Sequence, residues 1–207
     1  MKSSLLSQQW YTASLNPIVL KVCQVHDDAT VIAQTRAWVE QVVVDLNLCP
    51  FAKRELVKNR VRFSVTHATS EAALIEALQQ ELVFLAGEDR IETTLLIHPR
   101  IYESFYDYND FLGVAEGLMI ELELEGIFQI ASFHPRYQFG GTDRDDPENF
   151  TNRSPYPMLH LLREDSLEAA IDAYPDVDAI PDNNIQRMNE LGSEKMKALL
   201  ARCMGSQ

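Results

Sequence analysis

The sequence predicts an α/β fold with a small, mainly parallel sheet of three or four strands, flanked by helices and followed by an all-helical C-terminal third. Two observations support this prediction. Apolar runs and helical patterns follow each other in the order strand–helix–strand–helix–strand, which is the order of right-handed parallel βαβ units. The runs Leu95–Ile97 and Ile127–Ala131 are continuously apolar, as in strands that are covered on both faces. We expect residues 29–207 to form a single α/β domain and residues 1–28 an N-terminal extension.

The N-terminal part of the chain predicts one long helix. Apolar side chains from Val31 to Cys49 recur at helical spacings on one face. Pro50 disfavours helical geometry in the residue before it, so we expect the helix to end at Cys49. Phe51–Lys58 is expected to form a second, short helix, and Ile18–Val25 an edge strand of the extension.

Two further helices connect three predicted strands. The strands are Arg62–His67, Thr93–Ile97 and Phe128–Phe133. The first connecting helix is expected to be capped by Thr69 or Ser70, and its stripe of leucines ends at Gly87. The second is expected to be capped by Asn109 or Asp110, and its apolar stripe ends at Gly126.

A long segment, His134–Ser154, follows the third strand and has neither a helical nor a strand period. Connections beyond about 12–15 residues are usually functional or disordered. Disorder is disfavoured here because the segment contains Tyr137, Phe139 and Phe150, which are too apolar for a solvated tail. We therefore expect this loop to be ordered and to cover a site.

The rest of the chain is predicted to be helical. Met158–Arg163 has a short helical pattern, and Ser166–Tyr174 forms a helix that ends before a proline. Two more helices are expected at Asp178–Gly192 and Glu194–Cys203. No linker separates a second domain.

Composition and charge exclude several classes of protein. The net charge of −13 argues against nonspecific binding to nucleic acids or acidic membranes, which needs a basic surface. The three cysteines, Cys23, Cys49 and Cys203, are too few for a disulfide framework. The sequence has no apolar run of membrane-spanning length and no signal-peptide pattern. We expect an acidic cytoplasmic protein, of an oligomeric state that the sequence does not predict.

Each of the three predicted strands ends in a histidine, namely His67, His98 or His134. Ligands of open parallel sheets bind outside the carboxyl ends of the strands, so these side chains are expected to share one edge, with Cys49 approaching from the preceding helix. Histidine suits acid–base catalysis and binding of a divalent transition metal such as zinc. The alternative is that the histidines only satisfy backbone groups at the strand ends.

A repeated tripeptide, His-Pro-Arg, begins at both His98 and His134 and predicts that two strands exit through the same turn. Arg136 and Arg153 bracket the long loop and are candidates to bind a phosphate or carboxylate, because a guanidinium group holds such anions with two hydrogen bonds. Asn152 and Tyr137 are expected to assist them. Alternatively, the arginines pair with the acidic residues at positions 143–148 and hold the loop closed.

Several motifs in order resemble a known family. They are Leu46–Ala52, Thr93–Pro99, Tyr108–Leu112, Ala131–Phe139 and Thr151–Glu164. From about Val31 to about Gly192 the chain resembles an uncharacterised bacterial family, catalogued as domain of unknown function 1415. The resemblance implies a folded cytoplasmic protein but no activity, cofactor or catalytic residue.

A second resemblance is confined to Cys49-Pro50-Phe51-Ala52, followed by Arg54. This stretch is similar to the active-site turn of omega-class glutathione transferases, in which a helix N-terminus stabilises the cysteine thiolate. That family has a strand before its cysteine, whereas the residues before Cys49 predict a helix. The resemblance implies a reactive thiol; a buried structural cysteine is the alternative.

Three functional hypotheses follow from these observations. The first is an enzyme that acts on a small anionic metabolite at the sheet edge, with histidine acid–base or metal-assisted chemistry. The second is a non-catalytic binding or scaffold protein, in which the C-terminal helices present a partner surface. The third is a thiol-dependent redox or transferase protein that uses Cys49.

Overall fold

The computed structural model describes residues 27–205, and one four-stranded sheet runs through them. The strands are β1 (Val61–Val65), β2 (Thr93–Ile97), β3 (Phe128–Phe133) and β4 (Met158–Arg163). They lie in the order β1-β2-β4-β3, with β1 parallel to β2 and β4 antiparallel to both β2 and β3. The three strands that the sequence predicts therefore run in one direction, and β4 lies between two of them in the opposite direction.

The sheet is mixed rather than mainly parallel, because the predicted helix Met158–Arg163 is a central strand. Its side chains alternate between the two faces: Leu159 and Leu161 join one hydrophobic core, whereas Met158 joins the other. A short apolar run is compatible with either a buried helix or a buried strand, so periodicity alone could not separate the two. The C-terminal third is therefore only partly helical.

Seven α-helices flank the sheet in the described part of the chain. They are α1 (Asp28–Trp38), α2 (Ala52–Val57), α3 (Glu71–Gly87), α4 (Phe105–Glu121), α5 (Glu164–Asp172), α6 (Ile180–Leu191) and α7 (Ser193–Cys203). A π-helix, Val39–Val44, continues α1 directly, and short 3₁₀ helices occur at Pro147–Thr151 and Val177–Ala179. The predicted N-terminal helix thus ends at Val44 instead of Cys49, and a turn with Asn47 at φ 56° precedes Leu48.

Side-chain caps explain where two of these helices begin. The hydroxyl of Ser70 accepts a hydrogen bond from the Ala73 N–H at 3.3 Å, which confirms one of the two predicted caps of α3. The caps predicted for α4, Asn109 and Asp110, are wrong. Helix α4 already begins at Phe105, because Ser104 is in the extended conformation of an N-cap and its hydroxyl accepts from the Asp107 N–H at 3.5 Å.

Two hydrophobic cores fix the helices to the sheet, one on each face. The first contains the leucine stripe of α3, which is fully buried against α4 and the sheet: Leu74, Leu78, Leu82 and Leu85. The second joins the other face to α1, its π-helical continuation, α6 and α7 through Trp38, Leu95, Met188 and Met196. Full burial of one such aliphatic side chain contributes about 1.5–3 kcal/mol.

Two further predictions concern the N-terminal extension and membrane-spanning segments. The predicted strand Ile18–Val25, including Cys23, lies outside the described residues. Within residues 27–205, no helix is both long and apolar enough to cross a membrane.

Candidate functional site

The structure brings two of the three strand-end histidines together. His98 and His134 are both 0% exposed, and the ring of Tyr108 contacts both of them, with centroid distances of 5.7 Å to His98 and 5.1 Å to His134. His67 is not part of this group. Its half-exposed ring lies 3.1 Å from the carboxylate of Asp28.

The repeated His-Pro-Arg tripeptides form the same turn, as the sequence predicts. The carbonyl of each histidine accepts a hydrogen bond three residues later, His98 from Ile101 at 3.5 Å and His134 from Tyr137 at 3.1 Å. The two backbone N–H groups donate to the segment before β4, His98 to the carbonyl of Pro157 and His134 to that of Asn152. The two strands therefore leave the sheet through equivalent turns.

Hydrogen bonds within the protein occupy most of the polar atoms of the two rings. His134 Nδ1 accepts from the Arg136 N–H at 2.9 Å, so its proton lies on Nε2, which donates to the Tyr102 carbonyl at 3.0 Å. His98 contacts the Ile101 carbonyl through Nδ1 at 3.3 Å, and its buried Nε2 has no partner among the described residues. These contacts agree with the alternative that the histidines satisfy backbone groups.

Burial also keeps the two rings neutral. It lowers the pKa of His98 to about 4, with a smaller contribution from the neighbouring His134, and it lowers the pKa of His134 below its usual value. A metal would need further ligands, but residues 27–205 contain no group of three His, Cys, Asp or Glu side chains that could hold one. The described residues therefore show no metal-binding group at His67, His98 and His134.

The loop His134–Ser154 is ordered around two buried side chains. Asn149 accepts from the Phe139 N–H at 2.8 Å and the Thr142 hydroxyl at 2.9 Å, and its amide donates to the Asp143 carbonyl at 2.8 Å. Phe150 is buried in the second core. These contacts explain why the loop is ordered, as the sequence predicts.

The predicted anion-binding residues are engaged within the loop and its surroundings. Arg153 donates to the carbonyls of Tyr137 at 3.1 Å and Arg144 at 2.5 Å, and burial lowers its pKa. Arg136 is exposed and pairs with Glu103 at 2.6 Å. The amide of Asn152 donates to the Ser132 carbonyl at 3.1 Å, and the Tyr137 ring packs on two phenylalanines. Arg153 therefore ties two parts of the loop together through carbonyls, and Arg136 ties the loop to Glu103; neither hydrogen-bonds the acidic side chains at positions 143–148.

A cavity of about 240 Å³ lies near the start of β2, on the face of the sheet that the second hydrophobic core covers. Its floor is a row across three strands, in which His160 of β4 lies between Leu95 of β2 and Ala131 of β3. Residues of the π-helix, the turn before α2 and helix α5 close the cavity above this row, including Val43, Cys49, Phe51 and Leu167. The small side chain of Ala131 leaves room above the floor.

Two backbone features shape the roof of this cavity. Val39 and Val43 lie in the π-helical turns that end the first helix, and both line the cavity. Such turns are rare and occur frequently at functional sites. The left-handed conformation of Asn47, at φ 56°, then reverses the chain just before Cys49.

Cys49 is separated from the strand-end histidines with which it was expected to act. It lines the cavity together with Thr93, the first residue of β2, whereas His98 follows the last. These two positions of one strand are about 16 Å apart at about 3.3 Å per residue. Burial raises the pKa of the Cys49 thiol, and the N–H groups of Phe51 and Ala52 oppose this effect. The thiol is therefore protonated at neutral pH.

His160 is the histidine that shares the cavity with Cys49. Its Nε2 lies 2.6 Å from the hydroxyl of Thr93, which in turn donates to the Leu161 carbonyl at 2.6 Å. The ring therefore donates through Nε2 and carries its lone pair on Nδ1, for which the described chain provides no hydrogen-bond partner. Burial lowers the pKa of His160 to about 4, so the ring is neutral at physiological pH. The sequence interpretation missed this residue because it placed it on a helix.

Two buried glutamates also line the cavity. Glu55 and Glu92 share the guanidinium group of Arg60, which is hydrogen-bonded to Glu92 and lies 3.4 Å from Glu55 Oε2. Arg54 Nε also pairs with Glu55 Oε1 at 2.5 Å. The second carboxylate oxygen of Glu92, Oε1, accepts no hydrogen bond from the part of the chain that the structure describes.

Comparison with known proteins agrees with the motif resemblance. A protein-family model described as "Protein of unknown function (DUF1415)" matches residues 30–198. No curated protein and no solved structure matches the chain. The matched range contains the sheet, the strand-end histidines and all residues that line the cavity. The chain therefore belongs to the family described as Protein of unknown function (DUF1415).

Proposed function

We propose that this protein is a thiol-dependent enzyme whose active site is the cavity on the second face of the sheet. Cys49 is the nucleophile and His160 the acid–base residue. The observation that carries the proposal is that a cavity of about 240 Å³, apolar in most of its lining, contains a thiol and an imidazole from distant segments. Apolar cavities with a few polar groups are the usual form of small-molecule sites.

The resting electrostatics support chemistry that begins only when a substrate is bound. Because burial disfavours the charged form of both groups, the thiol and the imidazole are neutral in the empty cavity. In the reaction, the lone pair on His160 Nδ1 takes the thiol proton while the Cys49 sulfur bonds to an electrophilic carbon of the substrate. The bond between that carbon and its leaving group breaks, and the leaving group departs with the electron pair and receives the proton from Nδ1. The N–H groups of Phe51 and Ala52 favour the negative charge that develops on the sulfur.

The contacts favour this cavity over the strand-end histidines as the reactive site. Both ring nitrogens of His134 are hydrogen-bonded to backbone groups, and aromatic rings pack against both histidines. Arg136 and Arg153 already bind other groups of the protein, so their guanidinium groups are not available to hold an anionic metabolite at that edge.

Alkylation of Cys49 tests the proposal in a Cys23→Ser background. Two reagents are compared: 2-chloroacetamide, and N-benzyl-2-chloroacetamide, whose apolar group suits the cavity. Each labelling rate is measured by intact mass spectrometry and divided by the reagent's rate with free glutathione. We expect labelling by the benzyl reagent to saturate with concentration and to be at least about tenfold faster, which corresponds to about 1.4 kcal/mol of binding.

Two variants connect the labelling to the proposed roles. His160→Gln keeps a donor toward Thr93 but removes the base, and should slow labelling of Cys49 by about tenfold or more, within the range of general base catalysis. His67→Gln changes an exposed histidine outside the cavity and should leave the rate unchanged. Equal corrected rates for both reagents without saturation, or a rate that is insensitive to His160→Gln, would refute the proposed function.

A further inference from the structure

The cavity has an unsatisfied acceptor at the end where two glutamates lie. We propose that its ligand is a small molecule with an apolar body and a protonated amine, held by the carboxylates of Glu92 and Glu55. This inference rests on the proposed function, because it names the substrate class of the same cavity.

Unused hydrogen-bonding capacity is the first observation behind this assignment. Glu55 and Glu92 are only 6% and 8% exposed, and both line the cavity. In the described chain, Glu92 Oε1 has no hydrogen-bond donor, and Glu55 Oε2 has only the ion pair with Arg60 at 3.4 Å. A buried acceptor without a donor costs about 1–3 kcal/mol, and more when it is charged. A ligand ammonium group has three donors to offer.

The local balance of charge favours a cation for the same position. Glu55, Glu92 and the shared Arg60 together carry one net negative charge. Arg54 also pairs with Glu55 Oε1 at 2.5 Å, but its side chain is 55% exposed, so solvent screens its charge and it offsets that of Glu55 only in part. The guanidinium group of Arg163 is directed to backbone carbonyls, including those of Ile91 and Glu88 at 3.2 Å. An anionic ligand would instead meet two buried carboxylates.

The rest of the cavity defines the body of the ligand. Three aromatic rings, Trp38, Phe51 and Phe133, line it together with valines and leucines. An apolar cavity of 150 Å³ is large enough for benzene, so one of about 240 Å³ fits a single ring with a short chain. Aromatic faces also attract a cationic nitrogen. The lining therefore suits an arylalkylamine body, which a substrate of Cys49 carries in addition to its electrophilic carbon.

Three compounds share a phenyl ring on a two-carbon chain and differ in the terminal group, so they test which charge the cavity prefers. They are 2-phenylethylamine, 2-phenylethanol and 3-phenylpropionate. The measurement is protection of Cys49 from N-benzyl-2-chloroacetamide in the Cys23→Ser protein. We expect the amine to protect at a concentration at least about tenfold lower than the alcohol, and the carboxylate to protect least. This factor corresponds to about 1.4 kcal/mol.

Variants of the carboxylates then test the assignment directly. Glu92→Gln should remove the preference for the amine over the alcohol, and Glu55→Gln should weaken it. Circular dichroism checks that each variant is folded, and either one alone suffices if the other is not. Glu103→Gln is the matched control, because Glu103 is an exposed carboxylate that also pairs with an arginine, Arg136, outside the cavity. It should keep the preference.

The outcomes for the ligand class and for the enzyme are distinguishable. Protection by the alcohol or the carboxylate at the same or lower concentration than the amine overturns the ligand class and leaves the proposed function intact. A preference for the amine that survives both glutamate substitutions also overturns it. If no compound protects Cys49 and labelling does not saturate, the proposed function fails, and the ligand class fails with it.

Discussion

Acidification should destabilise the folded protein through His98 by an amount that the structure allows us to calculate. The fully buried ring has its pKa lowered from 6.5 to about 4. Between these values the unfolded chain binds a proton that the folded protein does not. The stability from the neutral ring is therefore fully present above about pH 6.5 and is lost as the pH falls toward 4. At about 1.4 kcal/mol per pH unit, the loss is about 3 kcal/mol.

Two substitutions remove this titration in different ways. His98→Asn keeps an N–H donor near the position of Nδ1, which contacts the Ile101 carbonyl. His98→Phe keeps an aromatic ring beside Tyr108, with which His98 stacks at a centroid distance of 5.7 Å. Both variants lose stability at pH 7, so the quantity of interest is the dependence of the free energy of unfolding on pH. Urea denaturation between pH 7 and pH 4 measures it.

We expect the wild-type protein to lose about 3 kcal/mol more over this range than either variant. Tyr108→Phe is the control. It removes the phenol that donates to the Met158 carbonyl at 2.8 Å but leaves His98 able to titrate, so it should lower stability at every pH with the wild-type slope. Parallel curves for wild type and both His98 variants would show that this ring does not stay neutral in the folded protein, and would refute the reasoning.

Three other substitutions or titrations test the loop, the thiol and the core. Asn149→Ala removes three hydrogen bonds and should lower the free energy of unfolding by about 2–4 kcal/mol. Limited proteolysis should then cut the long loop while the rest of the protein stays folded. Asn109→Ala, on the exposed side of α4, should not expose the loop to cleavage. The alkylation rate of Cys49 should keep rising with pH beyond the range in which a free thiol levels off, because burial raises its pKa; an earlier plateau would contradict this cause. Leu78→Ala should lower the free energy of unfolding by about 2–5 kcal/mol, and Val83→Ala, on the exposed face of the same helix, by much less.

Local sequence determined the parts of this fold that depend on neighbouring residues. The leucine spacing and the Ser70 hydroxyl define α3, and both are correctly predicted because a helix forms its hydrogen bonds within one segment. The bounds of the apolar strands β2 and β3 also agree with the prediction, although their hydrogen-bond partners lie in other segments. The two His-Pro-Arg turns follow from residues within four positions of each other.

Strand β4 shows where local information ends. The run Met158–Arg163 is apolar at four of its six positions, as in either a buried helix or a buried strand. Its backbone is extended because β2 and β3 supply hydrogen-bond partners on both sides, and these partners lie about thirty to sixty-five residues earlier in the chain. Only the folded sheet selects the strand.

The candidate site depends on the same selection. The pairing of β4 with Leu95 and Ala131 places His160 on the face of the sheet that α1 and the turn at Cys49 cover. The sequence placed the reactive groups at the strand ends, where His98 and His134 do lie together but are enclosed by aromatic rings. It could not place Cys49 and His160 in one cavity, because a shared cavity is set by the register between distant strands and by the packing of helices across them. A one-residue shift in that register would turn His160 to the opposite face.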